Sequence, residues 1–157
     1  MVIKSQSELE KNIKLEYITF NEITCKHCKT FLINSDSKKM LMVLDHFFQS
    51  VGKQKINSFY RCPSHHLETK KQELKRNLTD EEKKQALQSG HVQLLAVDLG
   101  TRDPRQLYTK AAAFGEWNGL GLYPWGIHLD LKPRRAFWIS SGGKYQYFNS
   151  PIAVLSV

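Results

Sequence analysis

The sequence predicts an α+β fold, in which helices come first and a small, mostly antiparallel sheet with flanking helices follows. Two observations indicate this class. A long amphipathic segment lies in the first third of the chain, and the C-terminal third alternates short β-prone runs with Gly and Pro residues. No repeat or low-complexity tract interrupts the chain. We therefore expect residues 1–157 to form a single domain, with its core at about 20–140.

Three segments are typical of helices. Asp36 to Val51 places apolar residues at helical spacing, namely Met40, Leu44, Phe47, Phe48 and Val51. Thr79 followed by Glu82 is a capping-box pattern, which predicts a short helix from Asp80 to Gln88. A third helix, Asp103 to Trp117, carries one apolar face formed by Leu107, Ala111 and Phe114. The charge-dense stretch from Leu67 to Gln88 is otherwise interpreted as a solvated excursion.

Six β-prone runs supply the predicted sheet. They are Lys55 to Tyr60, Leu94 to Leu99, Gly119 to Tyr123, Gly126 to Leu131, Ala136 to Ile139 and Tyr145 to Phe148. In the fourth run, apolar residues alternate with His128 and Asp130. The period of two therefore places Ile127, Leu129 and Leu131 in the core, and His128 and Asp130 on one polar face.

Composition limits the class of protein. Hydrophobic residues make up 41% and charged residues 24%, as in an ordinary globular protein, and the net charge of +8 favours anionic partners. No segment has the apolar length of a membrane span, and the first twenty residues lack the apolar core of a secretion signal, so we expect synthesis in the cytoplasm without a signal peptide. Three cysteines, an odd number, argue against a disulfide framework and fit a reducing compartment.

Three side chains could form a mononuclear zinc site: His91, Asp98 and His128. A catalytic zinc ion needs about three protein ligands and an open position. On a straight strand His91 and Asp98 would lie about 23 Å apart and point to opposite faces. They can share an ion only if the chain bends, so we place His91 in a loop and Asp98 in the following strand.

The cysteines suggest a second metal site. Cys25 and Cys28 form a Cys-x-x-Cys knuckle, and Cys62 with His65 could supply two further ligands. Such a set would hold a structural zinc ion in tetrahedral geometry. Three reduced thiols without a metal are the alternative interpretation.

The order and context of these residues resemble the D-Ala-D-Ala carboxypeptidase family of zinc peptidases, which shares its zinc core with lysostaphin-type peptidases and the hedgehog domain. Residues 58–63 (Ser-Phe-Tyr-Arg-Cys-Pro) resemble the family's Ser-Gly-Tyr-Arg-Ser/Cys-Pro segment. Ser89-Gly90-His91 with Ala96-Val97-Asp98 resembles its Ser-x-His-x-x-Gly-x-Ala-x-Asp motif. Residues 119–124 and 127–130, closing on Phe137-Trp138, resemble its Gly-x-Gly-x-Tyr and His-x-Asp segments. The resemblance spans roughly Phe20 to Trp138.

The resemblance implies roles for these residues. His91, Asp98 and His128 would bind zinc, Arg61 would stabilise an oxyanion, and Ser58 would hold Arg61 or the substrate. Two positions depart from the family. Leu94 stands where the family has Gly, so we expect a different local bend there. Trp125 replaces an acidic general base, which leaves Asp130 as the first candidate base and Glu116 as the second.

Together these features lead to a hypothesis of zinc-dependent hydrolysis of an amide bond in peptidoglycan peptides, by an endolysin-like carboxypeptidase or endopeptidase. The resemblance further implies a phage lysis or tail-associated enzyme that acts on the cell wall, and we expect the chain to be a monomer. Two alternatives stay open. One is a non-catalytic cell-wall-binding domain on the same fold. The other is a zinc-ribbon nucleic-acid binder with Tyr60, Trp117 and Trp125 as stacking surfaces, although the spread of basic residues argues against nucleic acid as a partner.

Overall fold

The computed structural model describes all 157 residues, which form seven helices and eight strands. The helices are α1 (Gln6–Asn12), α2 (Phe20–Ile23), α3 (Ser35–Val51), α4 (Pro63–Leu74), α5 (Asp80–Ala86), α6 (Pro104–Phe114) and α7 (Pro151–Leu155). The strands are β1 (Val2–Ile3), β2 (Phe31–Leu32), β3 (Lys55–Ser58), β4 (Ala96–Gly100), β5 (Gly119–Tyr123), β6 (Gly126–Asp130), β7 (Ala136–Ser141) and β8 (Lys144–Phe148). None of the helices combines the length and hydrophobicity that a membrane-spanning helix requires.

The strands form one large and one small sheet. The large sheet has the order β3-β4-β6-β5-β7-β8, and β1 pairs with β2 in a separate antiparallel ribbon. In the large sheet β5 and β7 run parallel, while its other four pairs are antiparallel. The α+β class is therefore confirmed, with a mixed sheet that is mostly antiparallel.

Most predicted elements are present with shifted ends. The first long helix is α3, capped by the Asn34 side chain, which accepts from the Ser37 backbone N–H, and ended by Gly52 at a φ of 87°. The helix predicted to reach Trp117 stops at Phe114, because Gly115 adopts the left-handed conformation (φ 78°) that ends helices. All six predicted strands occur.

Short elements and one polar helix were not predicted. The strands β1 and β2 have two residues each, which is too short for a periodic pattern. The helix α4 lies in and before the stretch interpreted as a solvated excursion, and it buries only His66. Its start could have been recognised, since Pro63 occupies the first turn, where Pro is favoured.

The hydrophobic core lies against one face of the large sheet. One cluster of buried residues extends from Ile3 to Val154 and includes the inner face of α3. From the central strands it takes Val97, Leu99, Ile127, Leu129 and Leu120. Because side chains alternate along a strand, the residues between them project from the other face, as predicted for His128 and Asp130.

Candidate metal centre

A row of paired residues crosses the large sheet on the face opposite the core. The strand register places these residues side by side: Ser58, Asp98, His128, Gly121, Trp138 and Tyr147. Directly paired residues in antiparallel strands have their side chains about 5 Å apart. Asp98 and His128 are such a pair, although thirty positions separate them in the sequence.

The loop before β4 brings His91 to this row. Leu94 turns the chain with a φ of 64°, a left-handed angle that residues with a Cβ rarely adopt. The Leu95 N–H then donates to the carbonyl of Gly90, which closes the turn. The reason for expecting a different bend at Leu94 is that only glycine readily adopts such an angle, and this reason does not hold, because Leu94 itself adopts the backbone region that favours glycine. Its side chain is buried in the core.

The turn lets His91 and His128 converge on the same carboxylate. His91 Nε2 lies 3.1 Å from Asp98 Oδ2, and His128 Nδ1 lies 2.7 Å from Asp98 Oδ1. One ligand atom from each of the three residues lies within 4.8 Å of the other two. The structure therefore brings together the three residues that the sequence singled out.

The second nitrogen of each imidazole is held by an oxygen atom. The His91 Nδ1–H donates to the carbonyl of Phe59 at 2.8 Å, and His128 Nε2 lies 3.3 Å from Asp130 Oδ2. These contacts fix both ring orientations and leave the two remaining nitrogens facing Asp98. Metal-binding histidines in proteins typically have this arrangement.

Asp130 lies behind His128 rather than over the converging atoms. Its side chain is fully buried, and Arg134 donates to both of its oxygens, at 2.6 and 2.8 Å. Gly119 leaves the room it needs, because a Cβ at Gly119 would overlap the carboxylate. From this position Asp130 can orient the imidazole of His128, and it is less suited to the general-base role suggested by the sequence.

Charge coupling is strong among these residues. Burial raises the pKa of Asp98, but His91 and His128 together hold it far below its usual range. Burial lowers the pKa of His128, whereas Asp130 and Asp98 raise it to about 9. When no cation takes the place of a proton, the His128 ring is therefore doubly protonated at neutral pH. A metal ion would have to displace a proton from Nδ1.

Arg61 completes the polar group. Its Nε–H donates to the hydroxyl of Ser58 at 3.0 Å, and its Nη2 lies 3.8 Å from Asp98 Oδ2. Its backbone N–H donates to the carbonyl of His91 at 3.3 Å. Ser58 thus contacts Arg61, which is what the first of its two expected roles, holding Arg61 rather than the substrate, requires.

A cavity of about 580 Å³ lies beside these residues, with Arg61, His91, Asp98 and His128 in its lining. One wall comes from α4, α5 and the loop between them, including Lys70, Glu73, Leu74, Leu78 and Glu82. The opposite wall is aromatic, formed by Tyr123, Trp125 and Tyr145. Glu116 is exposed and does not line the cavity, so it lies away from the site.

His66 is a cavity residue that the sequence analysis missed. It is buried, lines the cavity, and neither ring nitrogen has a hydrogen-bond partner within the protein. Burial, together with the positive charges of Arg61 and Lys70, lowers the pKa of His66 to about 4, so the ring is neutral at pH 7. Recognising α4 from Pro63 would have placed His66 in the first turn of a helix beside Arg61.

The aromatic residues of the nucleic-acid alternative do not form a surface. Trp117 is buried in the core, where its ring packs edge-on against Phe47. Trp117 is therefore unavailable for stacking on a base, which corrects that expectation. Tyr60 packs edge-on against Phe31. Only Trp125 is exposed, and it stacks on Tyr123 at the cavity.

The cysteines form a second cluster. The sulfur atoms of Cys25, Cys28 and Cys62 lie within 4.8 Å of one another, and His65 Nδ1 lies 3.3 Å from Cys25 Sγ. Burial raises the pKa of the Cys25 thiol, but hydrogen bonds from the backbone of Cys28, Cys62 and His27 and from the side chain of His65 lower it to about 6.

Comparison of the chain with protein-family models, with curated proteins and with solved structures found no match in any of the three. The site is therefore characterised by its own geometry. That geometry is a group formed by His91, Asp98 and His128, with anchored imidazoles and an adjoining cavity, whose ligand atoms are close enough together to hold one metal ion.

Proposed function

We propose that this chain is a zinc-dependent, endolysin-like peptidase that hydrolyses an amide bond in the peptide part of peptidoglycan. The convergence of His91, Asp98 and His128 beside a cavity is the observation that carries this proposal. Two nitrogens and one carboxylate oxygen are a typical ligand set for catalytic zinc, and the cavity provides space for an open coordination position. The motif order that resembles the D-Ala-D-Ala carboxypeptidase family supports the choice of substrate.

The donor set fits zinc for a further reason. Each imidazole presents only one nitrogen to the site, because the other is bonded to Phe59 or faces Asp130. The two histidines therefore contribute one nitrogen each, and Asp98 supplies the remaining protein ligand. Zinc held in this way supplies a Lewis acid and lowers the pKa of a water molecule to near neutrality.

Arg61 is the residue that we propose to contact the substrate. Its guanidinium is held at Nε by Ser58, which leaves its terminal nitrogens near Asp98 and facing the cavity. A guanidinium at this position can donate to the carbonyl oxygen of the scissile amide as negative charge develops on it. Ser58 then acts as a positioning residue for Arg61.

We propose that Asp130 orients His128 instead of accepting the proton of the attacking water. Burial raises the pKa of Asp130, but the contact with His128 and the two hydrogen bonds from Arg134 lower it to about 2, so the carboxylate is ionised at neutral pH. A carboxylate behind the ring stabilises the tautomer in which Nδ1 is free to bind a metal. Trp125 occupies the place where relatives of the resembled family have an acid.

The net charge of the chain suits a peptide with free carboxylates. Arg61 and Lys70 line the cavity, but Glu73 and Glu82 line it too, so the attraction comes from the net charge of +8 and from Arg61 beside the metal-site residues rather than from a cationic cavity. Peptidoglycan peptides end in carboxylates, which a positively charged protein attracts. In keeping with the resemblance, we place the enzyme at the cell wall, as a phage lysis or tail-associated protein.

The test is incubation of the purified chain with muropeptides, with added zinc or with chelator, and analysis of the products by mass spectrometry. We expect a cleavage product only with zinc. His128→Ala should lose both the zinc of this site and the activity, whereas His46→Ala, at an exposed position outside the site, should keep both. Full activity of the His128→Ala variant would refute the ligand assignment, and the absence of any product with zinc would refute the peptidase.

A second candidate function is binding of cell-wall peptides without cleavage. The stack of Trp125 on Tyr123 favours it, because an aromatic surface stands where an acid is expected. Binding of muropeptides in the presence of zinc, with no product after long incubation, would distinguish this function from hydrolysis.

A further inference from the structure

The cysteine cluster joins two parts of the chain that are distant in sequence. Cys25 and Cys28 lie in the turn between α2 and β2, whereas Cys62 and His65 lie at the start of α4. Cys62 is the N-terminal cap residue of α4, yet its side chain makes no capping hydrogen bond. Its thiol is therefore free to face the other two sulfurs, with all three within 4.8 Å of one another.

The backbone around Cys25 is folded tightly onto its sulfur. The Cys62 N–H donates to Cys25 Sγ at 3.3 Å, and His65 Nδ1 lies 3.3 Å from the same sulfur. The Lys29 N–H donates to the Cys25 carbonyl at 2.9 Å, and Lys29 adopts a φ of 56°. N–H groups directed at a cysteine sulfur stabilise negative charge on it, and the thiolate is the form that binds metals.

We propose that Cys25, Cys28, Cys62 and His65 bind a structural zinc ion in tetrahedral geometry. Zinc–sulfur bonds of about 2.3 Å place sulfurs roughly 3.8 Å apart in a tetrahedron, which the observed cluster reaches with little movement. His65 Nδ1 is 3.3 Å from Cys25 Sγ, close to the corresponding nitrogen–sulfur separation. Only the three sulfurs lie within 4.8 Å of one another, so the His65 ring would have to move toward Cys28 and Cys62 to become the fourth ligand. The set would then have four protein ligands and no open position, as in zinc sites that serve structure.

The site would fix the chain segment that carries Arg61. Arg61 immediately precedes Cys62, and the Tyr60 N–H donates to the Ile23 carbonyl at 3.3 Å in the same region. A zinc ion bound to Cys62 would thus tie the end of β3 and the start of α4 to the N-terminal segment. This inference does not depend on the proposed peptidase activity, because it concerns a different set of ligands.

The test replaces zinc by cobalt, which gives an intense near-ultraviolet thiolate-to-metal absorption only when cysteine sulfur binds it. We expect this band in the full chain loaded with Co²⁺ alone, and we expect His128→Ala to keep it. Zinc analysis should give about two ions per wild-type chain and about one for either Cys28→Ser or His128→Ala. A cobalt-loaded wild-type chain without the band would overturn the proposal, and this measurement needs no variant to fold.

A matched control separates His65 from its neighbour. The His27 ring stacks on His65 with ring centroids 5.8 Å apart, but it makes no hydrogen bond to a sulfur. We expect His65→Ala to weaken the cobalt band or shift it, and His27→Ala to leave it unchanged. A chain purified under reducing conditions that contains a disulfide among these cysteines would contradict the site, as would a Cys28→Ser variant that retains the wild-type zinc content.

Discussion

Leu94 offers the most direct test of how the loop delivers His91 to the sheet. Its φ of 64° is unfavourable for any residue with a Cβ, yet its side chain is buried in the core. Replacing Leu94 therefore changes two contributions of opposite sign to the free energy of unfolding: the burial of its side chain, which stabilises the fold, and the strain of its backbone angle, which destabilises it. We propose to compare Leu94→Ala, which loses the side chain and keeps the backbone strain, with Leu94→Gly, which loses both.

The expected magnitudes follow from these two effects. Removal of a buried leucine side chain costs about 2–5 kcal/mol, so both variants should be less stable than the wild type. Relief of the left-handed strain returns about 1–2 kcal/mol to the Leu94→Gly variant, and the greater chain entropy of unfolded glycine takes back roughly 0.4–1 kcal/mol. At the middle of these ranges, Leu94→Gly should therefore be more stable than Leu94→Ala by about 0.8 kcal/mol.

Urea unfolding at a fixed zinc concentration measures the free energy of unfolding, since bound zinc would add to the apparent stability. Leu44, fully buried in α3, is the matched control. There Gly should be less stable than Ala by about 1 kcal/mol, because glycine weakens a helix. If Leu94→Gly is no more stable than Leu94→Ala, the left-handed backbone angle at position 94 does not strain the chain, and the reasoning is refuted.

Three further predictions concern the site. Gly121→Ala should destabilise the protein by about 1–3 kcal/mol in urea unfolding, because its Cβ would overlap the ring of Trp138; an unchanged midpoint would show that the ring can move away freely. Arg134→Ala should lower the free energy of unfolding by about 1–3 kcal/mol, since it leaves the buried Asp130 carboxylate without two donors, and equal stability would contradict that pairing. Arg61→Lys should lower kcat on muropeptides roughly 10²-fold with unchanged zinc content, whereas loss of zinc would assign Arg61 a structural role.

The sequence predicted secondary structure correctly where apolar residues followed a long helical period or a strict alternation. The alternation around His128 predicted both the strand and its polar face, and the spacing of Met40 to Val51 predicted α3. The necessary bend between His91 and Asp98 followed from strand geometry alone. Its form could not be predicted, because a leucine rarely adopts the left-handed angle found at Leu94.

The remaining features depend on contacts between distant segments. The role of Asp130 is set by Arg134 and by the space at Gly119, and neither residue carries a local signal of that contact. His66 joins the cavity because α4 folds over the sheet, although the helix has few apolar residues. The parallel pairing of β5 with β7 could likewise not be predicted, because it depends on the order in which the strands lie in the large sheet.

The uninterrupted pairing of β4 with β6 has a consequence for how the protein folds. Asp98 faces His128 only in the native alignment; a slip of one residue would turn one of them to the opposite side of the sheet, and a slip of two would separate them by about 7 Å. A cation bound to both strands would therefore stabilise correctly aligned chains and leave misaligned ones unaided, by about 2.7 kcal/mol when the free ion is at 100 times its dissociation constant. A metal ion present while the chain folds would then increase the fraction of molecules in which β4 and β6 are correctly aligned.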